Sequence, residues 1–151
     1  VERWGVDAEL AQLLAHLSGG RLGWAVTAAT DPGVLEVRAR RLEELDHLIQ
    51  ASLVERFRYA EKLARDAEAA RQTLDLWTGW WRDVMVLAAG ADGPLTNLDL
   101  ADRIRRLARS LGIERATALV RATRRATDLV QRNAKLRLVL EVLIAFDLPR
   151  L

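Results

Sequence analysis

The sequence has no cysteine, and its 151 residues include only two histidines, one methionine and three prolines. Without thiols there are no disulfides, no thiolate-held zinc and no cysteine nucleophile, which fits a cytoplasmic protein. Glu44-x-x-His47 has the spacing of half a carboxylate-bridged di-iron site, but such sites need a second pair. The other histidine, His16, has Leu13 three residues before it, so Glu43, Glu44, Asp46 and His47 read as a solvated surface and no metal is expected. H-E-x-x-H, G-x-S-x-G and G-x-x-x-x-G-K-[ST] are also missing, so neither a catalytic residue nor a cofactor cradle is expected. No apolar run reaches the roughly 20 residues that span a membrane. The most apolar stretch, LRLVLEVLIAF at 136–146, is interrupted by Arg137 and Glu141. The opening VERWGVDAEL has no apolar signal-peptide core and reads as a stretch from inside a longer polypeptide.

What is present is core-forming material. Half the residues are hydrophobic and 29% are charged, a globular rather than a disordered balance. The formal charge of +2 hides an asymmetry: residues 1–98 carry 11 basic and 15 acidic groups, residues 99–151 carry 12 and 6. A split of that kind marks a nucleic-acid face or a polar assembly surface. Of the 23 basic residues 21 are arginine, a bias that a GC-rich genome also produces.

Helical spacing runs through the chain, and no segment alternates as a strand does. Leu10, Leu13, Leu14 and Leu17 form one stripe, closed by Ser18-Gly19-Gly20, and a short second helix is expected over 21–29. Thr30 or Asp31 caps the next helix with Pro32 at its first position, followed by Leu35, Leu42, Leu45 and Ile49. Ser52 and Glu55 make a capping box before Leu53, Phe57, Ala60 and Ala64. A longer stripe holds Leu74, Trp77, Trp81, Val84, Met85 and Ala88. GADGPLTN at 90–97 is the clearest loop, with Asn97 as the next N-cap, and Leu100, Ile104, Leu107 and Leu111 run up to Gly112. Leu119, Thr123, Ala126 and Val130 follow, then an apolar helix over 134–146. The expectation is an all-α bundle of about eight or nine helices without internal repeats.

Two clusters invite a functional reading. WTGWW at 77–81 offers three tryptophans for base stacking, yet on a helix they fill one arc of about 100°, the width of an ordinary core stripe. The core reading is the favoured one, with a neighbouring backbone expected close to Gly79. The arginines are the second cluster: Arg103, Arg105, Arg106 and Arg109, then Arg121, Arg124 and Arg125, placed so that two adjacent helices present one basic surface. That surface suits phosphate contacts or a neighbouring acidic subunit. The final helix is apolar nearly all round apart from a strip at Arg137 and Glu141, and such a helix has to be covered. Candidate interface residues are therefore Arg103, Arg106, Arg121, Arg124, Arg125, Arg137 and Glu141.

The order of ELAQLLAHLSGGRLGWAVTAATDP, LDLWTGWWRDVMVLAAG, LTNLDLADRIRRLARSLG and NAKLRLVLEVLIAF resembles the C-terminal part of the delta-prime clamp-loader subunits of bacterial DNA polymerase III, over essentially the whole chain. The resemblance rests on helical pattern, loop placement and an S-G-G-R-x-G-x-A element. It implies that residues 1–31 end an AAA+ helical lid and that residues 32–151 form a collar domain. Collars of five subunits make a ring that holds the loader together during sliding-clamp loading in DNA replication. The implied partners are the delta and gamma/tau subunits, with the clamp and DNA reached only through the whole complex. In hydrolysing family members a G-S-x-R-D-A element supplies a nucleotide-sensing arginine. Set against it on Gly20 and Ala25, the arginine position falls on Gly23 and the serine position on Arg21. A degenerate sensor fits a non-hydrolysing delta-prime subunit rather than a gamma/tau collar. The rival from another class is a basic nucleic-acid-binding module, with helix–SGG–helix over 7–29 in the place of a helix-turn-helix. Its second helix, RLGWAVTAA, offers almost no side chain for reading base edges.

Overall fold

The computed structural model describes residues 8–18 and 31–151, and these form helices joined by turns and loops, with no strand among them. In chain order the helices are α1 (Ala8–Ser18), α2 (Pro32–Gln50), α3 (Leu53–Leu63), α4 (Ala67–Ala88), α5 (Ala101–Gln131) and α6 (Leu136–Glu141). A 3₁₀ turn, Leu98–Leu100, precedes α5, and a π-helical turn, Val142–Asp147, continues α6. The all-α expectation holds, but the described residues contain six α-helices rather than eight or nine. The helix expected over 21–29 lies outside the described residues. The two expected on either side of Gly112 join into α5, whose path is broken at that residue by φ 75° and ψ 170°.

Helix ends follow local chemistry. Asp31 caps α2 by accepting from the Gly33 amide at 2.9 Å, with Pro32 at the first position, where a missing N–H costs nothing. The capping box of α3 is closed both ways: Glu55 N–H donates to Ser52 Oγ at 3.2 Å, and Ser52 N–H donates to Glu55 Oε2 at 2.8 Å. Hydrogen bonding to the carboxylate, from the Ser52 backbone amide first and then from its hydroxyl, holds the Glu55 carboxyl below the usual glutamate range. Asp66 caps α4 through the Ala69 amide at 3.1 Å, so α4 starts a full two turns before the Leu74 stripe. The exits of α4 and α5 close alike, with Ala91 N–H reaching Val86 O at 3.2 Å and Ala134 N–H reaching Leu129 O at 3.0 Å. Gly90 and Asn133 take the left-handed conformation these closures need, and both residue types tolerate it.

The closest backbone packing is between α4 and α5, with α3 lying against α6 and the π turn. One apolar cluster runs through all of α2 to α6, from Leu42, Leu45 and Leu48 to Leu140, Leu143 and Ile144. Its centre is the α4 tryptophan set: Trp77, Trp80 and Trp81 are all fully buried. Tyr59 stacks on Trp77 with ring centroids 6.4 Å apart, and the Arg103 guanidinium lies 5.0 Å from the centre of the Trp80 ring. No face of these three tryptophans is left for a base. α1 sits outside this cluster, against the 3₁₀ turn, with Leu14 buried. No helix among the described residues is long and apolar enough to cross a membrane.

Gly79 does not receive a neighbouring backbone as expected. A Cβ there would meet only the Thr96 methyl, at 3.8 Å, an ordinary contact. Gly79→Ala is therefore expected to raise stability by about 0.5–1 kcal/mol, the helical cost of glycine. Gly112 has open space around its Cβ position but a positive φ, so Gly112→Ala is expected to lose about 1–3 kcal/mol to backbone strain alone. Urea denaturation of the two variants beside the parent chain checks both signs.

Candidate interaction surface

The polar residues divide into those that hold the fold and those left facing out. The first group centres on Asp83 of α4, which is buried and carboxylate-bearing. It accepts from the Thr96 amide at 2.9 Å, the Asn97 amide at 2.7 Å and the Asn97 side-chain amide at 2.9 Å. Asn97 Oδ1 then accepts from Arg38 Nη2 at 2.8 Å, and the same guanidinium grips Asp99 through two bonds of 2.9 and 3.0 Å. This chain ties the 89–100 loop to α4 on one side and to α2 on the other. Asn97 was expected as an N-cap; it makes no side-chain cap bond, because its amide is committed to Asp83 and Arg38. α1 joins the same loop through His16, whose Nδ1 lies 3.1 Å from Leu95 O and so carries the ring proton.

Arg103, one of the interface candidates, is half-buried and takes part in this internal group. It donates to Leu42 O at 2.7 Å, forms an ion pair with Asp46 and covers Trp80. Its distance along the chain from α2 hides these contacts from any local pattern. On α2, Glu43 and His47 are exposed and Glu44 and Asp46 half-buried; Asp46 pairs with Arg103 and Glu44 accepts from the Tyr59 hydroxyl at 2.9 Å. Burial, reinforced by the Glu44 charge, pushes the Tyr59 phenol far above the ordinary tyrosine range. Among the described residues no group of three or more histidines and carboxylates gathers as a metal would require.

Arg56 of α3 is fully buried, and sequence reasoning missed it. It donates to four backbone carbonyls: Ile49 at 3.2 Å, Ile144 at 3.2 Å, Leu148 at 3.0 Å and Pro149 at 2.7 Å. Burial, and then the like charge of Arg150, lowers its pKa. No carboxylate pairs with it among the described residues; instead the carbonyls ending α2 and the π turn face it, where helix dipoles favour a cation. The arginine's position on α3, between Leu53 and Ala60, gave no sign of burial; only the C-terminal turn supplies its partners.

The outward group is clearer. Arg106, Arg121, Arg124 and Arg125 are all exposed, the first on one side of the Gly112 break and the other three beyond it. Arg137 and Glu141 pair with each other at 2.9 Å, and Arg137 also approaches Glu61 of α3 at 4.0 Å. Beside this pair runs an apolar strip along α6 and the π turn. Leu138 is 56% exposed, Val142 51% and Phe146 65%, while the intervening Leu140, Leu143 and Ile144 are buried. Phe57 of α3 meets the Phe146 ring edge-on at 5.9 Å, and Val54, 59% exposed, belongs to the same helix. The sensor-like residues Gly20, Arg21, Gly23 and Ala25 lie outside the described residues. No protein-family model, curated protein or solved structure matches the chain.

The division predicts unequal costs. Asp83→Ala strands the buried backbone and side-chain amides of Asn97 and the part-buried amide of Thr96, and is expected to destabilise by about 2–4 kcal/mol. Arg121→Ala, at an exposed position with no hydrogen bond or ion pair among the described residues, is expected to stay within about 0.5 kcal/mol. Chemical denaturation midpoints at constant slope distinguish the two.

Proposed function

We propose that this chain is a non-catalytic assembly module, the end of a lid (1–31) and a collar (32–151) of a delta-prime type clamp-loader subunit. In that role its helices hold neighbouring subunits together while upstream ATPase domains act on the sliding clamp. The observation that supports the assembly reading is the strip of Leu138, Val142 and Phe146. The final helix buries one face in this chain's own core and leaves a second apolar face in water. Exposed apolar faces of this kind, beside polar pairs such as Arg137 and Glu141, are characteristic of protein contact surfaces. The collar assignment itself rests on the sequence resemblance.

The nucleic-acid alternative keeps the exposed Arg121, Arg124 and Arg125, but Arg103 is engaged with α2 and Trp77, Trp80 and Trp81 are buried. A gel shift with a steep salt slope would favour it. For the assembly reading, the chain is mixed with the collar regions of delta and gamma/tau subunits and the mass followed by light scattering. Co-assembly is expected, and Leu138→Glu with Val142→Glu is expected to abolish it while leaving the helical circular dichroism unchanged. Persistent monomers in the unsubstituted mixture would count against the proposal.

A further inference from the structure

Between the second half of α5 and the C-terminal turn lies an open groove of about 490 Å³, within the size range of small-ligand sites. Arg115, Ala118, Ala122 and Arg125 line one wall, at i, i+3, i+7 and i+10 and so on one helix face. The small alanines leave the space, and the arginines stand at its two ends. The opposite wall is Phe146 to Arg150. That wall is fixed from behind: Arg56 takes the Leu148 carbonyl at 3.0 Å and the Pro149 carbonyl at 2.7 Å. The lining therefore holds an apolar floor with Leu119 and Leu148, an exposed aromatic ring and three guanidiniums.

The charge at the groove is one-sided. Arg115, Arg125 and Arg150 make no ion pair among the described residues, and Arg56 lies beneath the wall without a carboxylate partner. Asp147 is the one acidic residue of the lining. Arg121 stands about 40° round the helix from Arg125 and extends the positive field beyond the groove. A free phosphate or a simple anion would use the guanidiniums but not the floor. A single nucleic-acid strand would want a row of stacking rings, and the lining offers one.

We infer that this groove binds a short acidic peptide segment of a partner protein, its carboxylates on Arg115, Arg125 and Arg150 and one apolar side chain on the alanine floor. Planar guanidiniums take carboxylates through paired hydrogen bonds, and a wall fixed in advance lowers the ordering cost of binding. This goes beyond the assembly proposal and does not depend on it: the groove and the Leu138–Val142 strip share no residue except the Phe146 that edges both.

The test is fluorescence anisotropy with three labelled probes on the 151-residue chain: a short peptide alternating aspartate and leucine, a polyaspartate of equal charge, and a single-stranded oligothymidylate. The aspartate–leucine peptide is expected to bind at least about tenfold tighter than either other probe. Arg115→Gln with Arg125→Gln is expected to weaken it by about tenfold or more, and both positions are exposed, so circular dichroism should not change. Leu138→Glu with Val142→Glu is expected to leave it unaltered, which separates this outcome from that of the assembly test. Absence of peptide binding would overturn the inference, as would an undiminished double arginine variant. So would polyaspartate or oligothymidylate binding as tightly as the mixed peptide.

Discussion

α2 is held to the rest of the chain by three arginines, and the arrangement of the other helices depends on them. Arg38 fixes its first half to the 97–99 segment, Arg103 reaches its middle at Leu42 and Asp46, and Arg56 takes the carbonyl of Ile49 at its end. Between these ties Leu42, Leu45 and Leu48 enter the common core. Leucine burial alone gives α2 a side to face inward but little to set its position along the axis. Guanidiniums do that, because each has a planar set of donors that must meet acceptors at fixed angles. A lysine at any of the three places would bring a single point charge and lose the multiple bonds.

The three ties meet the cost of burying charge in different ways. Arg38 has Asp99, and Arg103 has Asp46 together with the face of Trp80. Arg56 has carbonyl oxygens only, at the ends of two helices. Helix termini expose carbonyls that lack intrahelical donors, so one arginine satisfies several of them while their dipoles stabilise its charge. The α2–α3 corner and the C-terminal turn therefore solve one another's polar problem. The Asp83 chain does the same for the 89–100 loop, whose amides would otherwise be buried without partners.

Much of this was legible in the sequence, and the failures have a common cause. The stripe spacing identified α2 to α5, Ser52 and Glu55 announced their capping box, the cap of α2 was narrowed to Thr30 or Asp31, and Gly112 announced the break inside α5. The tryptophans at 77, 80 and 81 declared a buried face by their arc. What periodicity cannot read is which polar residue the fold takes inside. Arg103 and Arg106 look alike in sequence, yet one lies over Trp80 and the other in water. Asn97 carries a capping residue's side chain, but Asp83 fourteen positions earlier competes for it and wins. Arg38, Arg56 and Arg103 find hydrogen-bond and ion-pair partners 57 or more residues away, Ile49 apart. The groove is likewise invisible before folding, because Arg115 and Arg125 face Arg150 only once the chain end has turned back.

That return also orders events in time. Ile144, Leu148 and Pro149 follow Arg56 by 88, 92 and 93 positions. A ribosome therefore delivers α3 long before the carbonyls that make its guanidinium burial tolerable, and until they emerge Arg56 keeps its hydration. The α2–α3 corner cannot close on a dry interior while the nascent chain is short. The burial of Arg56 therefore depends on the turn at 142–149, the last of that corner's parts to be synthesised.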